Sequence, residues 1–273
     1  FMQPIKRPMV MGILNVTPDS FVDGGRYLAS AQALEHARQM IRDGVDIIDI
    51  GGESTRPGAA VVSVDDELRR IIPVIEALRA ESSIPISIDT STPEVMRQAA
   101  MIGVDMINDV RALRRPGALA AAAATGLPVC LMHMQGDPQT MQLAPTYSNL
   151  LVEICGFFEA RILACEAAGI PRAKIILDPG FGFGKTMEHN LQLINRLDEF
   201  MMFDCPILVG LSRKSTIGQV LGDLTVDRLQ GSVAGALMAY MKGASLLRVH
   251  DVAETVQALR IVKAIQGEGL GDQ

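Results

Sequence analysis

No surplus of positive charge runs through this 273-residue chain: Asp and Glu number 31 against 25 Lys and Arg, a formal net charge of −6. A nucleic-acid-binding surface needs a basic face, so that class of function is excluded, and any cation that matters has to act locally. No CxxC spacing joins the four cysteines, Cys130, Cys155, Cys165 and Cys205. They read as free, buried thiols of a reducing, cytoplasmic compartment rather than as disulfides or metal ligands. No apolar run approaches the ~18 residues of a membrane span, and no signal peptide opens the chain, so neither membrane insertion nor export is expected. Phe1 ahead of Met2 reads as an addition to the natural start. Nor is there a polar linker or low-complexity tract. Residues 2–267 are therefore expected to form one domain, with 268–273 as a short tail.

What the chain does have is a large apolar content, 48%, arranged in a repeating way. VMGIL runs into Asn15, DIIDI into Gly51, Gly52 and Glu53, PISI into Asp89, and DMI into Asn108. PVCLM then ends in His133, KIIL in Asp178, PILVGL in Ser212, Arg213 and Lys214, and SLLRV holds Arg248 before His250. Between the runs lie residues at helical spacing, such as Val64, Leu68, Ile71, Ile75 and Leu78, or Leu151, Ile154, Phe158 and Ile162. Continuous apolar strands separated by amphipathic helices describe a parallel sheet covered on its faces. An open doubly wound sheet shares that alternation, but concentrates its chemistry at one switch point. A polar residue at nearly every strand end points instead to a single-domain α/β fold, a (β/α)8 TIM barrel with one composite active site.

Four local motifs carry chemistry. NVTPDSFVDGG, from Asn15 to Gly25, is a long Gly- and Pro-containing connection that suits a mobile loop over a site, although Asp19 or Ser20 could equally cap a surface turn. Its Asn15 amide oxygen, at a strand end, is suited to a magnesium ion that also holds phosphate. In DIIDIGGESTRPGA, Thr55 and Arg56 offer a hydroxyl and a bidentate cation to an anion, whereas Asp49 and Glu53 read either as functional groups or as a buried ion pair or cap. LDPGFGFGKT ends like a phosphate-binding Walker loop, but Pro179 stands where that motif needs glycine, so the nucleotide reading is rejected. Its alternating glycines suit close approach to something flat, with Phe181 and Phe183 either stacking or packing on helices. In GLSRKSTIG, adjacent Arg213 and Lys214 cannot both point inward: one faces the pocket and the other forms a structural pair. Arg248 and His250 share one strand face by the period-two rule and can act on one anion. His133 stays open between site and core; His36 and His189 read as structural.

Taken in order, NVTPDSF, GGESTRPG, the Asp89 and Asn108 strand ends, DPGFGFGK, SRKS and RVH closely resemble the dihydropteroate synthase family over Met9 to Leu259. The resemblance implies condensation of (7,8-dihydropterin-6-yl)methyl diphosphate with 4-aminobenzoate in folate biosynthesis, with sulfonamides as inhibitors. It places Asp89, Asn108, Asp178 and Lys214 on the pterin, and Asn15, Thr55, Arg56, Arg248 and His250 around the diphosphate, with Mg2+ bridging Asn15 and phosphate. Phe21, Thr55, Pro57, Phe183, Ser212 and Lys214 would form the aminobenzoate pocket. Asp89, Lys214, Arg248 and His250 are the residues expected to act on the reacting centre. Val22 departs from the family, which commonly has a small polar residue there.

Two rival readings share these residues: a methyltetrahydrofolate-binding methyltransferase barrel, and a noncatalytic pterin-binding paralogue. The segment from Val226 to Ala244 carries Val233, Ala236, Leu237, Tyr240 and Met241 around much of a helix, more apolar surface than one barrel face needs. With the family habit of pairing through late helices, this implies a homodimer.

Overall fold

A computed structural model describes residues 7–16, 26–53, 62–136 and 145–267. Strand and helix alternate as β1 (Met9–Asn15), α1 (Arg26–Arg42), β2 (Ile47–Gly51), α2 (Val64–Glu81), β3 (Ile86–Asp89), α3 (Pro93–Met101), β4 (Met106–Asp109) and α4 (Ala118–Thr125). The second half continues as β5 (Val129–Met132), α5 (Leu150–Ala167), β6 (Ile175–Asp178), α6 (Met187–Asn195), β7 (Leu208–Val209), α7 (Ser215–Leu221), α8 (Leu229–Met241), β8 (Leu246–Val249) and α9 (Val252–Ile265). Every apolar run read from the sequence is a strand. No helix among the described residues is long and apolar enough to cross a membrane.

The eight strands are parallel and ordered β6-β5-β4-β3-β2-β1-β8-β7. The gap between the two ends is bridged by a parallel pairing of Leu177 with Ile207, and by the Leu177 N–H donating to Pro206 O at 2.9 Å. That bridge decides for a nearly closed barrel against the open sheet.

Both faces of each strand are buried, which is why the strands read as unbroken apolar runs. One set of side chains, including Val10, Ile48, Ile88, Ile107, Leu131, Leu177 and Val249, packs outward on the helices in the main core. The alternate set points inward, where Met11, Ile47, Met106, Cys130, Ile176, Leu208 and Leu246 form a separate apolar cluster across the barrel interior. Nearer the carboxyl ends, the inward positions in register are polar: Asp49 opposite Ser87, Asp89 opposite Asn108, and Asp178 opposite Met132. The helices start where their sequences cap them. Ser63 accepts from Asp66 N–H ahead of α2, Asn149 accepts from Val152 N–H ahead of α5, and Thr186 with His189 forms a reciprocal capping box on α6.

Candidate active site

Arg248, inward on β8, is the hub of the barrel's polar layer. Its Nε donates to Asp49 Oδ2 at 2.7 Å and its Nη2 to Asp89 Oδ2 at 2.8 Å. Gly210 lies alongside this side chain, where a Cβ would stand in ordinary contact 3.7 Å from Arg248 Cβ. Asp49 is fully buried, accepts a further bond from Asn108 Nδ2 at 3.1 Å, and keeps Oδ1 without a hydrogen-bond partner among the described residues. Of the two readings open for Asp49, the buried ion pair is the one the geometry presents. Burial alone would pull the Arg248 guanidinium down; Asp49 and Asp89 outweigh it and hold it above its usual value. Burial pushes Asp89 up to about 7 against the pull of Arg248, with Asp49 adding to the rise.

Across the barrel, Asp178 ends β6 at 7% exposure, with Oδ1 accepting from Gly180 N–H at 2.7 Å. Its remaining lone pairs stay available to a ligand. Burial raises its pKa, while the Lys214 charge and the Gly180 N–H hold it down. Lys214 faces the pocket, donating to Phe181 O and lying 4.5 Å from the centre of the Phe183 ring. Burial brings it down to about 7 despite Asp178. Its neighbour Arg213 turns outward in a left-handed conformation and pairs with Asp251, Nε to Oδ2 at 3.0 Å. One of the two cations thus faces inward and the other is structural, although the pair lies in a turn beyond β7 and the left-handed Arg213, not strand alternation, separates them.

The remaining expected residues gather at the same end. Ser212 is buried beneath His250, its Oγ accepting the His250 backbone N–H at 3.2 Å and lying 3.1 Å from His250 Nδ1. Asn15 ends β1 partly exposed, and Gly51 beside it opens the gap to Asp89: a Cβ there would lie 3.6 Å from Asn15 Oδ1 and 3.8 Å from Asp89 Oδ2. Glu53 reaches Arg111 at 3.7 Å. Phe183 is half-buried against Val110, Met132 and Met134, whereas Phe181 belongs to the main core. Thr55, Arg56 and Pro57, like Phe21 and Val22, lie outside the described residues.

The alternating glycines make close contacts within the protein itself. At Gly180 (φ 71°) a Cβ would fall 1.8 Å from His133 O, and at Gly182 (φ 81°) 2.8 Å from Lys214 Cδ. They let the loop close on the protein's own backbone and on the Lys214 stem.

Several polar residues at this end carried no expectation. Glu67, in the first turn of α2, accepts from Thr90 Oγ1 at 2.5 Å and Thr92 Oγ1 at 3.0 Å, and Arg70 Nη1 donates to Gly52 O at 2.7 Å. Asp109 accepts from Arg111 N–H and Leu113 N–H, both at 2.8 Å, and from Ser91 Oγ. Together they brace the roots of the connections after β2, β3 and β4. Lys185 is also buried, bonded to His133 Nδ1 at 3.0 Å. A carboxylate inside an otherwise apolar helix face was the available signal for Glu67; for Lys185 it was a lysine following three alternate glycines with no acidic neighbour.

A barrel whose carboxyl end carries this set matches known proteins over nearly its whole length. The family described as pterin binding enzyme matches residues 11–250. The dihydropteroate synthase of Escherichia coli strain K12 is 57% identical over 260 residues, covering 95% of this chain and 92% of the relative. The Yersinia pestis dihydropteroate synthase, solved with a sulfonamide drug complex, superposes with TM-score 0.91 at 54% identity, covering 97% of this chain and 96% of that one. The Xanthomonas albilineans enzyme, solved with 4-aminobenzoic acid, gives TM-score 0.90 at 50% identity, covering 96% and 94%. Identity at this level along the entire barrel decides against the methyltetrahydrofolate-binding methyltransferase, and the chain belongs to the dihydropteroate synthase family of pterin binding enzymes.

Proposed function

We propose that this site condenses (7,8-dihydropterin-6-yl)methyl diphosphate with 4-aminobenzoate, giving 7,8-dihydropteroate and diphosphate. The observation that carries the reading is the charge layout. Two buried acceptors, Asp178 and Asp89, each have a cation beside them in the interior, Lys214 near Asp178 and Arg248 bonded to Asp89. A pterin edge presents adjacent amino and ring N–H donors, which the free lone pairs of Asp178 accept, while Asn108 and Asp89 complete the ring's contacts. Lys214 stands where pterin and aminobenzoate meet, with Phe183 and Ser212 on the aminobenzoate side.

In the reaction the methylene C–O bond breaks, diphosphate leaves with the electron pair, and the aminobenzoate nitrogen forms the new C–N bond before losing its proton. Arg248 and His250, with Thr55 and Arg56, neutralise the departing anion, and Asp89 steadies positive charge on the pterin methylene. Magnesium suits the amide oxygen of Asn15, which stands at the carboxyl end of β1. Mg2+ typically takes one or two protein oxygens and completes its shell with substrate phosphates and water. When bound it supplies Lewis-acid neutralisation of the diphosphate.

Turnover should therefore require both substrates and magnesium, and a sulfonamide should bind tightly only in the presence of pterin and diphosphate. Calorimetric titration of a sulfonamide with and without that pair checks the order. Equal affinity in the two titrations, or full turnover after metal removal, would overturn the reading.

Assembly as a homodimer belongs to the same proposal. Met238 and Met241 on α8, Ile261 and Ile265 on α9, and Leu221 and Leu224 around α7 are exposed apolar side chains on late elements. Light scattering should give the mass of two chains at micromolar concentration; the mass of one chain would count against it. The four cysteines are free, which suits a reducing cytoplasm.

A further inference from the structure

Lys185 is 3% exposed and has no carboxylate within ion-pairing distance among the described residues. Its Nζ lies 3.0 Å from His133 Nδ1, 3.0 Å from Gly180 O and 3.0 Å from Phe183 O. A fourth acceptor, His133 O, stands further off at 3.4 Å. An ammonium has three donors and no acceptor, so the three nearer partners can each take one N–H. The match requires a bare Nδ1 on His133. Burial, then the Lys185 charge, push that imidazole down to about 2, so it is neutral and carries its proton on Nε2.

The two carbonyls flank Phe181 and Gly182, the stretch that wraps Lys214. Phe181 O accepts from Lys214, the Phe183 ring lies beneath it, and Gly182 rests on its stem. A loop with left-handed glycines at 180, 182 and 184 has much backbone freedom to lose, so its shape has to be imposed by bonds. Asn190 Oδ1 on Gly182 N–H and Tyr147 OH on Gly184 O hold its outer side. From the inner side, Asp178 Oδ1 takes the Gly180 N–H, and Lys185 binds the carbonyls of Gly180 and Phe183.

We propose that Lys185 is a positioning residue for the synthase reaction: with His133 as its acceptor, it clamps residues 180–184 around Lys214 and so fixes where the Lys214 ammonium meets the substrates. The inference rests on the role assigned above to Lys214. The charged groups facing the clamp are Asp178 at the end of β6, Lys214 itself and, on the His133 side, Arg114.

A double-mutant cycle tests it, using kcat/KM for radiolabelled aminobenzoate at saturating pterin diphosphate and magnesium. Lys185→Met should lower kcat/KM about thirtyfold in the natural background but less than about threefold once Lys214→Met is present, because coupled sites are non-additive. Losses that simply multiply would overturn the clamp. Lys214→Met alone reads the role of Lys214, so a failure of that reading is visible separately. A second pair of variants leaves Lys185 in place. His133→Asn retains an acceptor near the Nδ1 position and should stay within about threefold of the natural enzyme, whereas His133→Leu should lose about tenfold, the worth of one charge-assisted bond. Equal losses in the two would overturn the proposal even if Lys185→Met fails to fold.

Discussion

Replacing Asp178 with asparagine is expected to weaken pterin binding by about 2–4 kcal/mol, because a charge-assisted acceptor is lost and an amide N–H is turned toward ligand N–H groups. The fold should survive, since asparagine Oδ1 can still take the Gly180 N–H that Asp178 Oδ1 takes now. Two further consequences follow from the charges. Lys214 and Lys185 both draw on Asp178 as their countercharge, so the variant lowers both amines further below their ordinary range. Burial raises Asp178 itself, so natural pterin affinity should fall on acidification at a higher pH than an ordinary aspartate would show. The asparagine variant should lack that dependence. Calorimetry of a pterin ligand across pH, beside a thermal melt, checks both. Unchanged affinity with an unchanged melt would remove Asp178 as the anchor.

Arg248→Met should be more damaging still, costing about 3–5 kcal/mol of stability together with nearly all turnover, because it leaves two buried carboxylates without their partner. Asp49 is fully buried and loses its closest cation; Asp89 is already raised by burial and loses the one group that pulls it down. Asp89 then binds its proton more tightly in the folded than in the unfolded state. The stability supplied by such a proton is present below the ordinary carboxylate range and is lost as pH rises through the raised pKa. The deficit of the variant should therefore shrink in acid and grow toward neutrality. Arg248→Lys should not rescue turnover, since a point charge cannot bond both carboxylates in the fork geometry seen here. Urea titrations at several pH values measure the trend. A deficit that grows on acidification would contradict it.

The fold was legible because the barrel repeats one instruction eight times, an apolar strand closed by a polar residue. The period-two rule applies to Arg248, inward on β8, but His250 lies just past that strand, and Arg213 and Lys214 part in a turn after β7, so their separation was expected for a reason the backbone does not use. Closure was not local. The Leu177–Ile207 bridge joins strands that no single motif connects, and only the distribution of polar ends hinted at it. Asp49 stayed ambiguous because its partner is 199 positions away. Lys185 was overlooked for a chemical reason. Beside glycines and threonine it looked like a failed phosphate loop, and its actual partners, one imidazole and two carbonyls, leave no charge pattern in the sequence. The glycines left a related question open. Their signal is closeness, and the sequence does not say whether the close neighbour is a ligand or the protein itself.

The apolar cluster of Met11, Ile47, Met106, Cys130, Ile176, Leu208 and Leu246 makes the barrel a vessel with a sealed bottom. A vessel has one door, and what lies deepest must go in first and come out last. Depth then becomes sequence in time. On the proposed placement, a pterin held by Asp178 and Asn108 cannot leave past an aminobenzoate near Phe183, so product, which joins the two, has to be drawn out whole. The residence time of pterin and the turnover number are thereby coupled by shape alone, before any loop is considered.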